Sequence, residues 1–289
     1  MRYGIYLPNF GPFGSAAAMA QLAAEAEAAG WDGFFIWDHV AGWRQPFVDP
    51  WVALTAAAMA TKSIRLGTTV TPLPRRRPAK LARETASVDV LSGGRLVLGV
   101  GIGGGGAEWE GLGEETDPRV RGAMLDEGLD VVTGLWRDGP FSYAGTHYTI
   151  GQADFLPKPV QSPRIPIWVG GIWPAKPPFR RMARWDGMFP LVAQADTEAE
   201  ELAQFRDAVS YVLRRRESET GFDVVAVGET PADDPAQGQE TVAKYASVGA
   251  TWWLEGIASY RFGIGLNEPI SPERLRARVL AGPPCSPGL

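Results

Sequence analysis

The chain has only two histidines, His39 and His147, and only the first stands in a setting suited to chemistry. It lies in Trp37-Asp38-His39-Val40, at the end of an apolar run, with Trp43 close behind. An imidazole in that position can take or give a proton around neutral pH. A histidine hydrogen-bonded to backbone is the competing reading. His147 falls in Phe141-Ser-Tyr-Ala-Gly-Thr-His-Tyr-Thr-Ile150, where alternation around Ala-Gly predicts a small hairpin and no catalytic role for the imidazole. The run Arg75-Arg76-Arg77 is either an attractor for an anionic group or a solvated basic turn.

Glycines form the second group. Gly99-Val-Gly-Ile-Gly-Gly-Gly-Gly106 contains the letters G-x-G-x-x-G, from Gly99 to Gly104. A dinucleotide-binding turn would need a helix opening at once and an acidic residue some way on. Here a loop follows a fourth strand, so that reading is disfavoured. Two readings stay open for Gly101 and Gly103, and for Gly170-Gly171. Either the missing side chains let a ring or phosphate approach the backbone, or these are simple turns.

Composition removes several function classes. At 289 residues, with a net charge of -5, the chain gives no reason to expect a nucleic-acid partner. No long apolar run predicts a membrane span, and the start, Arg2-Tyr-Gly-Ile-Tyr-Leu7, reads as a strand. A cytoplasmic location is the default expectation. One cysteine, Cys285, excludes an internal disulfide, and two histidines exclude a multi-histidine metal centre. No acidic cluster suggests a carboxylate metal site in its place, so no metal is expected.

Something must bring these residues together, and the order of elements shows what. Strand-like runs occupy Tyr3–Pro8, Gly33–Asp38, Arg65–Thr71, Leu96–Ile102, Ile165–Gly170, Gly187–Leu191, Phe222–Val227 and Thr251–Glu255. Helical spacing separates them: Met19, Leu22, Ala23 and Ala26; Leu81, Thr85 and Val88; Leu125, Leu129, Val132 and Trp136; Leu202, Phe205, Val209 and Val212. Asp49-Pro50, Ser271-Pro272 and Thr197 with Glu200 read as helix starts, and Gly30 as a stop. Eight such units predict an α/β fold, a closed (β/α)8 TIM barrel over residues 1–281, rather than an open doubly wound sheet. Residues 103–164 form an insertion after the fourth strand, of the kind that serves as a lid or binding loop. A flexible tail is expected at 282–289.

In such a barrel the active site lies where strands end. The residues there include Asn9-Phe10-Gly11, Trp37-Asp38-His39, Thr69-Val70-Thr71, the glycine run, Gly170-Gly171 and Trp252-Trp253. Aromatic rings, glycines, one histidine and arginines on one rim suit a flat aromatic ligand with an anionic tail.

The sequence resembles the bacterial luciferase-like superfamily of flavin- and deazaflavin-dependent oxidoreductases over nearly its whole length. The matching segments are Asp38-His39-Val40, Leu66-Gly-Thr-Thr-Val-Thr71, Leu91-Ser-Gly-Gly-Arg-Leu-Val-Leu-Gly-Val-Gly101, Arg121-Gly-Ala-Met-Leu-Asp-Glu-Gly128 with Leu135-Trp136, Ile165-Pro-Ile-Trp-Val-Gly-Gly171 and Trp185-Asp-Gly187. Their shared order carries the likeness. The resemblance implies a redox enzyme using coenzyme F420, with His39 as proton donor or acceptor, Trp43 over the reacting centre and Asp38 against the ring. It implies a non-proline cis peptide at Thr69-Val70, letting the backbone bulge against the cofactor. Gly101, Gly103, Gly170 and Gly171 would complete the cofactor site. Phe10, Trp109, Trp173 and Trp253 are candidates for an aromatic substrate pocket, and a homodimer is expected.

One departure bears on the substrate. The sugar-phosphate dehydrogenase branch carries a catalytic glutamate directly after the G-x-G-x-G segment, where this chain has Gly104; its nearest carboxylates are Glu108 and Glu110. No lysine lies near Pro190–Ala195 to hold a phosphate. The sugar-phosphate reaction is therefore not expected, and Glu108 reads as a helix-capping or packing residue. The expected activity is F420-dependent hydride transfer to or from a small organic substrate. The alternatives are an FMN-dependent two-component monooxygenase, served by a flavin reductase, and a barrel that binds flavin without turnover.

Overall fold

The computed structural model describes residues 1–42, 44–104, 106–193 and 195–284. Trp43, Gly105, Gln194 and the last five residues, Cys285 among them, lie outside the described residues.

Among the described residues there are eleven strand segments: β1 (Arg2–Leu7), β2 (Gly33–Ile36), β3 (Arg65–Thr68), β4 (Thr71–Pro72), β5 (Leu96–Gly101), β6 (Phe141–Ala144), β7 (Thr149–Ala153), β8 (Ile167–Trp173), β9 (Gly187–Val192), β10 (Asp223–Gly228) and β11 (Trp252–Gly256). The order β3-β2-β1-β11-β10-β9-β8-β5, with β3 also pairing β5, closes a parallel barrel. β3 and β4 are one barrel strand interrupted at Thr69 and Val70, so the eight expected positions are all filled. The fifth of them runs further than expected, to Trp173 instead of Gly170. β6 and β7 pair antiparallel as the expected hairpin, and Glu127 accepts hydrogen bonds from the Thr146, His147 and Tyr148 amides at its turn.

Period-two alternation sorts each strand into a lumen face and a helix face. Phe35, Val97, Trp168, Phe189, Val225, Trp252 and Leu254 fill the lumen, with Tyr6, Val70, Leu191 and Val227 partly buried against them. The alternate residues pack beneath the surrounding helices in one larger core. The flanking helices include α1 (Ala16–Ala28), α2 (Pro50–Ala60), α3 (Pro78–Ser92), the short α4 (Ala107–Gly111) and α5 (Pro118–Trp136).

Two of the three expected caps form. Asp49 accepts from the Trp51 and Val52 amides, and Thr197 from the Glu200 amide. Ser271 makes no such bond; its hydroxyl turns to the Glu273 carboxylate. At the other end the chain stays packed to Pro284, with Gly282 and Pro284 both buried, so chain packing outlasts the expected boundary at 281.

Candidate active site

The strand ends converge on His39. Fully buried Asn9, just past β1, holds its backbone from both sides: Nδ2 donates to the His39 carbonyl at 2.8 Å, and Oδ1 accepts from the His39 amide at 3.1 Å. A second bond from Nδ2 to the Val48 carbonyl, 2.8 Å, ties the same asparagine to the following loop. The imidazole is held separately. Its Nδ1 is 2.9 Å from Oε2 of Glu108, on α4.

Glu108 is fixed in turn. Oε1 accepts from the Val40 amide at 2.7 Å, the Ala41 amide at 3.3 Å and Arg75 Nη1 at 2.9 Å. Burial alone would raise this carboxyl, but the donors from Val40, His39 and Arg75 outweigh it and push its pKa down to about 2. An ionised carboxylate only accepts, so Nδ1 of His39 carries the hydrogen of their shared bond. In that tautomer Nε2 is the basic nitrogen of the ring. Neither Asn9 nor Glu108 stood out as a functional residue in the sequence, and the expectation that Glu108 caps or packs a helix gives way to this contact.

Arg75 and Arg76 are not a solvated turn. Arg75 bonds Glu108 and, through Nε at 2.7 Å, Glu114. Arg76 Nη2 lies 2.5 Å from Oδ1 of Asp38, whose side chain is fully buried. Only Arg77 is exposed. Burial raises the Asp38 carboxyl above its ordinary range, against the pull of Arg76.

Below lies the floor. The Thr69–Val70 peptide is cis, as the resemblance implies. Val70 projects between two glycines: a Cβ on Gly101 would come within 2.8 Å of Val70 Cγ2, and one on Gly170 within 2.8 Å of Cγ1. These glycines therefore make room for Val70. Gly103 does the same for Trp109, and Gly171 for Pro178 of the following helix. The space their missing side chains leave is filled by protein.

The expected pocket residues separate into two groups. Phe10 stands at the site, its ring edge-on to His39 (6.1 Å) and Trp37 (5.9 Å). Trp37 also meets Tyr6 at 5.4 Å, and Tyr6 meets Phe189 at 5.6 Å, giving an aromatic wall. Trp109 is buried between the guanidinium groups of Arg75 and Arg121, each 4.5 Å from its ring centre. Trp173 and Trp253 belong to the helix-facing core, Trp173 against Phe179 and Tyr211, Trp253 against Tyr245. They do not line the mouth beside His39. Trp43 lies outside the described residues.

Unpaired polar atoms mark what the site lacks. Buried side-chain atoms normally find hydrogen-bond partners. Trp37 Nε1, Asp38 Oδ2, Thr69 Oγ1, Arg75 Nη2 and Arg76 Nε are buried without one, and all five belong to segments at this rim. Donors and acceptors are both among them, as a polar ring would require. The residues present fit a flavin or deazaflavin.

Fold and site together define a (β/α)8 barrel whose strand-end mouth is built to hold such a ligand beside a carboxylate-held histidine. The chain belongs to the luciferase-like monooxygenase family, whose pattern matches residues 1–263. The F420-dependent glucose-6-phosphate dehydrogenase of Nakamurella multipartita is 32% identical over 179 residues, covering 58% of this chain and 49% of that protein. The oxygenase component of a flavin-dependent trigonelline monooxygenase from Acinetobacter baylyi is 30% identical over 151 residues, covering 52% of this chain and 42% of the other. These matches span about half the length of each relative or less. In structure, the coenzyme F420-dependent tetrahydromethanopterin reductase of Methanopyrus kandleri superposes with a TM-score of 0.74 at 20% identity, covering 97% of both chains.

Proposed function

We propose that this protein is an F420-dependent oxidoreductase that moves a hydride to or from a small organic substrate. The observation that carries the reading is the His39–Glu108 pair, 2.9 Å apart, beside the unpaired buried oxygen of Asp38. A deazaflavin, when bound, supplies two-electron hydride chemistry without oxygen activation. Converting an alcohol to a carbonyl, or the reverse, also moves one proton at the substrate oxygen. His39 Nε2 takes that proton in oxidation and returns it in reduction, and the Glu108 carboxylate stabilises the imidazolium formed. Asn9 fixes the backbone from which the imidazole projects. Asp38 Oδ2 would accept a hydrogen bond from the bound ring, and Val70 would support it.

A second reading, an FMN-dependent oxygenase fed by a separate reductase, is favoured by the likeness to the trigonelline monooxygenase component. Titrating the protein with coenzyme F420 and with FMN, following tryptophan quenching, separates the two. Saturable F420 binding, at least about tenfold tighter than FMN, supports the first reading. The reverse preference supports the second, and failure of both to bind ends the redox assignment.

The reading also includes a cytoplasmic homodimer. Val52 and Met59 on α2, and Val90 and Leu91 on α3, are exposed apolar residues suited to a partner copy. Among the described residues no helix is long and apolar enough to cross a membrane. Sedimentation of wild type against Met59→Glu tests the dimer.

A further inference from the structure

Across the mouth from Glu108, β1 and β11 form a lip with a different chemistry. Tyr6 and Gly256 are register partners on these parallel strands. Trp252 and Leu254 face the lumen, so alternation turns Gly256 the same way, next to Tyr6. The place of the missing side chain is taken by Tyr260, from the turn after β11: its hydroxyl lies 2.9 Å from where a Gly256 Cβ would stand. Two phenols thus share one edge of the mouth, Tyr6 against Trp37 and Phe189, and Tyr260 over Gly256. Among the described residues, neither hydroxyl hydrogen-bonds another protein group.

The charges nearby bear on what could bind. Burial around the hydroxyl raises both phenols, although Tyr260 as a whole is 40% exposed, so they remain neutral donors at working pH. Glu229, just past β10, is exposed; its charge adds to the rise at Tyr260, and that of Arg261 opposes it. The neighbouring cations are already engaged. Arg261 bonds the Gly256 and Thr230 carbonyls and the Glu255 carboxylate, and Arg278 bonds Thr230, Gly282 and the same carboxylate. This lip offers neutral donors, and its arginines are taken up by Glu255 and backbone carbonyls, not by a phosphate or carboxylate ligand.

We propose that Tyr6 and Tyr260 form a substrate-recognition pair that donates hydrogen bonds to an oxygen of an uncharged organic substrate. The inference rests on the functional reading above and narrows its substrate class to neutral oxygenated molecules such as ketones and alcohols. It sets the chain apart from the relative named for a sugar phosphate.

The test uses the protein loaded with whichever cofactor it binds. Cyclohexanone and 4-oxocyclohexanecarboxylate, a ketone and its anionic counterpart, are titrated into wild type, Tyr6→Phe and Tyr260→Phe at about pH 7. Wild type is expected to bind the ketone at least about tenfold more tightly than the keto acid, and each phenylalanine variant to lose about fivefold on the ketone, the worth of one hydrogen bond. Cofactor affinity and melting temperature, measured on the same samples, should not move. No saturable ketone binding, equal or tighter keto-acid binding by wild type, or unchanged ketone affinity in both phenylalanine variants overturns the proposal. If cofactor binds while these results appear, this inference alone falls; if no cofactor binds, the functional reading falls with it.

Discussion

His39 and Glu108 lie 69 positions apart in the chain, yet Nδ1 of the one is 2.9 Å from Oε2 of the other. That contact fixes the tautomer of the only histidine at the barrel mouth. It also links α4, at the start of the long insertion, to the loop after β2. A carboxylate with a pKa near 2 stays ionised at every working pH, so the imidazole keeps one orientation throughout.

Replacing this carboxylate should separate binding from turnover. Glu108→Gln keeps the shape but lets the imidazole adopt the other tautomer. Turnover should fall by roughly 10²-fold, within the range of general acid–base contributions, with cofactor affinity nearly unchanged. Steady-state kinetics paired with a cofactor titration checks both halves. A fall in affinity that accounts for the whole loss would contradict the assigned role.

The same carboxylate should shape acid stability. Its folded-state pKa lies below the unfolded value of 4.5, so the folded protein binds fewer protons there. Its contribution, on the order of 3 kcal/mol, is complete above about pH 4.5 and disappears as pH falls toward about 2. The stability difference between wild type and Glu108→Gln should therefore shrink across that window in urea unfolding. Glu27 is the control away from the site. Burial opposes its ionisation, but bonds from the Ile64, Ser63 and Lys62 amides bring it to about 2. Glu27→Gln should lose the same acid dependence and keep full activity.

Asp38 should behave in the opposite sense. Burial raises its folded pKa above the ordinary 3.8, so in the ligand-free protein this group weakens folding as pH rises past that value. A cofactor donor to Oδ2 needs the ionised form. Wild-type F420 affinity should accordingly increase with pH through this ionisation. Asp38→Asn should show a flat profile and binding about 10- to 100-fold weaker, as expected for a hydrogen bond to a charged group. Isothermal titration over a pH series measures this.

Gly101→Ala tests the floor. The added Cβ would sit 2.8 Å from Val70 Cγ2, close enough that the valine must move. Thermal unfolding should show a loss of about 1–3 kcal/mol, the usual cost of overpacking. Cofactor binding should weaken in the fraction that stays folded. Unchanged binding would mean that Val70 does not support the ring.

Much of the fold was legible because each strand–helix unit carries its own periodicity and caps, and local patterns need no long-range information. Strand ends could therefore be read, and His39, Asp38, Phe10 and Val70 all fall at the mouth. Glu108 could not be placed in the same way. It sits on a helix of only 5 residues, too short to show a period, and its partner is reached through the path of two loops. Asn9 was missed for a related reason: its value lies in two backbone contacts that no side-chain pattern encodes. Trp253 was within reach. Adjacent strand residues point to opposite faces, so Trp252 and Trp253 could not both face the lumen, and it is Trp252 that does. The same alternation, counted from Trp168, turns Trp173 outward. The two readings of the arginine run could not be decided from sequence because a charge run reveals nothing about buried partners, and here Asp38, Glu108 and Glu114 supply them.

A crystal structure of the protein soaked with coenzyme F420 tests the central claim most directly. The deazaflavin ring is expected in the barrel mouth, resting on Val70, with an N–H toward Asp38 and its reacting carbon on the side of His39. A ring bound elsewhere, or turned so that His39 cannot reach a substrate placed on it, would contradict it.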